Sequence, residues 1–166
     1  MGKAKIIIPI IIVVLVLGGL AVYFFLFSPI FISKPAIGKP LMTYDENGNP
    51  IIKEEHIAFL INELGGYKLH DNPFNNERPE LDFTVDGVKY TVTIIDNYPN
   101  VRLGQASNPD AGLTISANTV ASLVESDNLE EAIANSYESG EIQGQVFKDT
   151  DTLVLKGYAA LYGNFA

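Results

Sequence analysis

The residues able to do chemistry are few and scattered. His56 and His70 are the chain's only histidines. They fall in different predicted elements, and His56 beside Glu55 does not give the helical spacing of a metal pair. Both read as surface or capping groups. Ser116 and Ser122 have no base close in sequence, and no G-x-S-x-G occurs. Gly65-Gly66 leads into no Lys-Ser or Lys-Thr, so it is not a phosphate loop. Glu54-Glu55 and Glu130-Glu131 pair acids in sequence, but helix N-termini attract acids without any catalytic role. Asp149 and Asp151 are too few ligands for calcium. With no cysteine, thiolate chemistry, disulfides and Cys-based metal sites are excluded. The expectation is a protein without catalysis, cofactor or metal.

The elements that would hold these residues begin with a long apolar run. Ile6 to Phe27 carries no charge. As a helix it would extend about 33 Å at ~1.5 Å per residue, enough to cross a hydrocarbon core of about 30 Å. Pro9 falls in its first turn, where a missing N–H is tolerated. Tyr23 lies near the far end, at interface depth, and Ser28-Pro29 stops the helix. A cleaved signal peptide would have a shorter run and a small-residue cleavage site, and Phe25-Leu26-Phe27 is a poor approach to one. No ionisable group lies inside the span, so it anchors rather than conducts. The expected organisation is a basic leader over 1–5, a transmembrane helix over 6–28, a linker over 29–50 and a soluble domain over 51–166. Lys3 and Lys5 on one side and Lys34 and Lys39 on the other nearly balance the positive-inside count. The short basic leader favours an internal N-terminus and an extracytoplasmic domain in a single-pass membrane protein.

The formal net charge is −9. Every acidic residue follows the apolar run, so the domain is more acidic than the whole chain. Such a surface repels phosphate backbones and excludes nucleic acid as an expected partner. The Pro- and Gly-rich stretch Ser33–Asn49 reads as flexible, with a turn at Asp45–Gly48.

Asn49 and Pro50 predict a helix start, and Ile57, Leu60, Ile61 and Leu64 form its apolar stripe up to Gly65-Gly66. The strongest local signal is LDFTVDGVKYTVTII, from Leu81 to Ile95. Asp86-Gly87 suits a two-residue hairpin turn. That register sets Val85 against Val88, Phe83 against Tyr90 and Leu81 against Val92, all on one face, with polar residues on the other. A turn is expected over Asn97–Asn100, with short strands at Val101–Leu103 and Gly112–Ile115. Ser116 caps a helix with Val120, Leu123 and Val124. Asp127, with Glu130 three residues on, caps another with Leu129, Ala132, Ile133 and Tyr137 that ends at Gly140. Glu141–Phe147 reads as a strand. A last helix starts at Thr150 and carries Leu153, Leu155, Tyr158, Ala159, Leu161 and Tyr162.

This order of elements resembles the sterol carrier protein two (SCP2) domain. The likeness rests on the Asp86-Gly87 hairpin, on PDAGLTISANTVASLVES from Pro109 to Ser126, and on LEEAIANSYESGEIQGQVFKDTDTLVLKGYAALYGN from Leu129 to Asn164. It covers about residues 79–164. It departs where the family has Gly-Asp after the last strand and this chain has Lys148-Asp149. The resemblance implies an α+β fold, a five-stranded antiparallel or mixed sheet covered by helices, with an apolar tunnel for sterols or acyl chains between them. The implied lining is Phe83, Tyr90, Val92, Leu123, Val124, Ile133, Tyr137, Leu155, Tyr158 and Leu161. The leading expectation is a membrane-tethered, non-catalytic lipid- or sterol-binding module whose partners are the bilayer and an apolar ligand. The alternative is a single-pass accessory subunit docked on a larger membrane protein complex.

Overall fold

The computed structural model describes residues 32–162. The expected leader and transmembrane helix lie outside the described residues. Among those described, no helix is long and apolar enough to cross a membrane.

The described chain is built as a two-layer α+β unit. Its sheet has five strands: β1 (Glu80–Val85), β2 (Val88–Ile95), β3 (Tyr98–Leu103), β4 (Ala111–Ile115) and β5 (Ile142–Val146). Their spatial order is β3-β2-β1-β4-β5. The β1–β4 pair is parallel and the other pairs are antiparallel, so the sheet is mixed. Helix α1 (Glu54–Glu63) precedes the sheet; α2 (Ala117–Glu125) and α3 (Leu129–Glu138) stand between β4 and β5; α4 (Thr150–Leu155) and α5 (Ala159–Tyr162) close the chain.

The hairpin has the register that its turn and alternation require. Leu81 faces Val92, Phe83 faces Tyr90 and Val85 faces Val88. Asp86 and Gly87 both take positive φ, 47° and 84°, as a primed turn needs. Leu81, Phe83, Val85, Tyr90, Val92 and Ile94 are buried under the helices. Val88, beside the turn, is exposed. The opposite face carries Thr84, Lys89, Thr93, Arg102, Gln143 and Gln145 and, among the described residues, has no helical layer, as an antiparallel hairpin with one polar face predicts.

Local boundaries differ from the sequence expectation in instructive ways. The turn after β2 falls at Asp96-Asn97, where both residues take positive φ, and β3 begins at Tyr98. Asn100 therefore sits inside a strand. Asn128, not Asp127, caps α3, its side chain accepting from the Glu131 N–H. Helix α1 starts at Glu54 rather than Pro50. His56 holds this start: its Nδ1 accepts from Lys53 N–H at 2.9 Å. Its Nε2–H then faces the Leu41 carbonyl at 3.3 Å. The ring is fully buried rather than on the surface.

The stretch read as a flexible linker is seated on the domain, and the compact unit begins at Ile32. The Lys39 ammonium donates to the Glu125 and Ser126 carbonyls, at the negative end of α2. Tyr44 donates to Glu125 at 2.7 Å. Asn62 donates to the Pro35 carbonyl, and Lys34 pairs with Glu63. The polar residues that suggested flexibility have partners far away in sequence.

Candidate functional site

The core gathers most of the implied lining. Phe83, Tyr90, Val92, Leu123, Val124, Ile133 and Tyr158 are buried in one apolar cluster, with Leu161 packed on its edge. Leu155 is partly exposed. Tyr137 lies outside the cluster with 60% of its surface exposed. On α3 the buried positions are Ile133 and Ser136, so Tyr137 falls one residue past the inward stripe. The cluster also takes Ile57, Leu60, Ile61 and Leu69, which the implied lining left out. Helix α1 is thus a principal cover of the sheet. The closing segment covers less than one continuous helix would, because Gly157, at φ 86°, separates α4 from α5.

The helical cover is uneven across the sheet. Over β1 and β2 it is tight. On β4 and β5 the same inward face carries Ala111, Leu113 and Ile115 opposite Val146, Gly144 and Ile142. Ile115 is buried, but Ala111, Leu113 and Ile142 are only partly so, and Val146 is 51% exposed. Gly144 adds no side chain, and a Cβ there would lie 3.9 Å from Leu113 Cδ2, an ordinary contact with room to spare. The result is an apolar strip, continuous with the core, that opens to solvent along the last strand. Its alternation is that of a buried sheet face, yet no described helix covers its outer end.

A buried ionic network lies at the other end of β4. Lys156 and Asp110 are both fully buried and form an ion pair at 2.7 Å. The Lys156 ammonium also donates to the Arg78 carbonyl at 3.0 Å and reaches Glu77 at 3.3 Å. The second Asp110 oxygen accepts from Tyr158 O–H at 2.9 Å and Glu80 N–H at 3.0 Å. Every donor of the ammonium and both carboxylate oxygens are engaged, so the group fastens the C-terminal segment to the sheet rather than standing ready to react. Sequence reasoning missed it. The available signal was one lysine inside the apolar run Leu153–Tyr158.

Three carboxylates, Glu77 beside the network and Asp45 and Asp149 in loops, predict an acid-sensitive fold. Burial pushes Glu77 upward, but the Lys156 and then Lys148 ammoniums outweigh it and hold its carboxyl below the ordinary range. Asp149, which caps α4, is lowered by the Thr152 N–H and hydroxyl. Asp45 is lowered by the Asn49 side chain and backbone. These depressed groups bind fewer protons folded than unfolded, so their contribution is present above the ordinary carboxylate range and lost as pH falls below it. The thermal midpoint should hold steady from about pH 7 to 5 and fall below about pH 4.5; Glu77→Gln should make that fall shallower. A midpoint independent of pH down to about 3 would contradict this.

A separate cleft of about 350 Å³ is lined by Leu69, His70, Asp71, Arg78, Ile94, Ile95, Asp96 and Asn97. None of the implied lining residues borders it. Among the described residues no group of His, Cys, Asp or Glu could hold a metal ion.

No protein-family model matches the chain, and no curated protein does. Among solved structures the chain is similar to a UbiJ-SCP2 ubiquinone synthesis protein, with 17% identity over 53% of this chain and 71% of that one and a TM-score of 0.35. It is also similar to Sterol Carrier Protein 2 Like 2 from Aedes aegypti, with 12% identity over 58% and 89% and a TM-score of 0.33. The sec-alkylsulfatase Pisa1 from Pseudomonas sp. matches with 12% identity over 52% of this chain, 12% of its own length and a TM-score of 0.32.

Proposed function

We propose that the domain is a lipid-binding module that holds an apolar ligand, a sterol or an acyl chain, against the inward face of β4 and β5. The N-terminal apolar segment would keep it beside a bilayer, and the module would act without catalysis. The observation that carries this reading is the uncovered strip. Leu113, Gly144 and Val146 continue the buried face of the sheet, but α3 and α4 leave their outer end open. Apolar surface continuous with a core favours an apolar occupant, since burying it yields roughly 25 cal/mol per Å². The SCP2-like order of elements in the sequence implies the same class of ligand.

Native mass spectrometry of the full chain released from detergent tests this. A retained lipid mass is expected. Val146→Asp, at a half-exposed site that tolerates charge, should weaken retention at least tenfold. A bare chain with membrane proteins co-purifying in fixed ratio would replace this reading with that of an accessory subunit.

A further inference from the structure

The sheet has two edges, and they are treated differently. Strand β3 carries Pro99 and the charged Arg102, both usual ways of blunting an edge. Strand β5 has neither proline nor charge: its sequence is Ile142-Gln143-Gly144-Gln145-Val146. Residues 143–146 are exposed. The hydrogen-bond phase shows what this edge offers. The Ile115 carbonyl accepts from the Asp86 N–H at 3.2 Å, so Ile115, Leu113 and Ala111 bond toward β1 and leave Gly112 and Thr114 to bond β5. Pairing alternates, so Gln143 and Gln145 bond inward to β4. The N–H and C=O groups of Ile142, Gly144 and Val146 therefore point to the free edge.

The strand is also close to a palindrome about Gly144. We infer that β5 is a homodimerisation edge, pairing antiparallel with β5 of a second copy across a two-fold axis at Gly144. In that register Ile142 faces the partner's Val146, and Gln143 faces the partner's Gln145. Apolar residues meet on the inward face and amides meet on the outward face. Glycine meets glycine at the axis, and about six backbone hydrogen bonds form between groups that now face solvent. The paired strands themselves carry no charge to repel. Such an isologous contact closes with two subunits. So short a strand gives a small interface of the transient class, formed where the chain is concentrated. This inference does not depend on whether a lipid fills the strip.

Oxidative cross-linking of the full chain in detergent or bilayers tests it, because this chain has no cysteine. A hydrogen-bonded antiparallel pair sets its Cα atoms about 5.5 Å apart, within disulfide reach. Gly144→Cys should form a disulfide-linked homodimer at least tenfold faster than Arg102→Cys, an exposed control on β3. In the Gly144→Cys background, Gln143→Glu with Gln145→Glu sets like charges opposite and should slow the reaction tenfold or more. Gln143→Lys with Gln145→Glu sets opposite charges together and should restore it. All of these side chains are exposed, so folding is not at stake. Cross-linking of Gly144→Cys no faster than of Arg102→Cys, equal rates for the two charge pairs, or linkage only to another protein would overturn the inference.

Discussion

Asp110→Ala is expected to cost about 3–5 kcal/mol of folding stability. The substitution leaves the Lys156 ammonium fully buried without its nearest counter-charge. It also strips the Tyr158 hydroxyl and the Glu80 N–H of the acceptor they share. Glu77, at 3.3 Å and partly solvated, offsets only a fraction of that loss. Domains of this size are stable by roughly 5–15 kcal/mol, so the variant loses a large share of its margin. Replacing both partners with apolar residues, as in Asp110→Leu with Lys156→Met, should recover much of the loss, because no charge is then stranded. Denaturant unfolding of the full chain in mild detergent, followed by circular dichroism, measures both. A cost below about 1 kcal/mol for Asp110→Ala would mean that the pair is solvated.

Ile57→Ala is expected to cost about 2–5 kcal/mol, because it opens a cavity in a side chain with no exposed surface. Tyr137→Ala should change stability by no more than about 0.5 kcal/mol, given its exposure. The two together decide which helix face covers the sheet. The implied lining used Tyr137 and no residue of α1; the core uses Ile57 and leaves Tyr137 in solvent. The same unfolding measurement applies. If Tyr137→Ala proved the costlier, the packing described for α1 and α3 would be wrong.

What the chain discloses in advance depends on how local its determinants are. The β1–β2 hairpin is legible because its turn residues and its two-residue alternation independently demand one register. Helices α1 and α2 are legible through spaced apolar stripes, and the Ser116 cap is real: its hydroxyl accepts from Thr119 N–H at 3.1 Å. Long-range partnerships are not legible. Nothing near Lys156 in sequence announces Asp110, and nothing near Lys39 announces the carbonyls that end α2. The apolar residues of the closing segment suit one long helix, whereas Gly157 takes positive φ, packs tightly and divides it. A Cβ there would stand 3.0 Å from the Lys68 carbonyl oxygen. A glycine in an otherwise apolar run was the available warning. The strip on β4 and β5 could not be foreseen at all, since the pattern of β5 fixes which side chains face inward but not where the helical layer ends.

The proposed function requires a lipid on the exposed flank of the sheet's apolar face. Native mass spectrometry of the full chain, released gently from detergent and compared with Val146→Asp, addresses it most directly. One bound lipid per chain, held by the wild type and lost from the variant, is the predicted spectrum. Bare polypeptide in both, or equal lipid retention by both, would contradict the assignment of a ligand to β4 and β5.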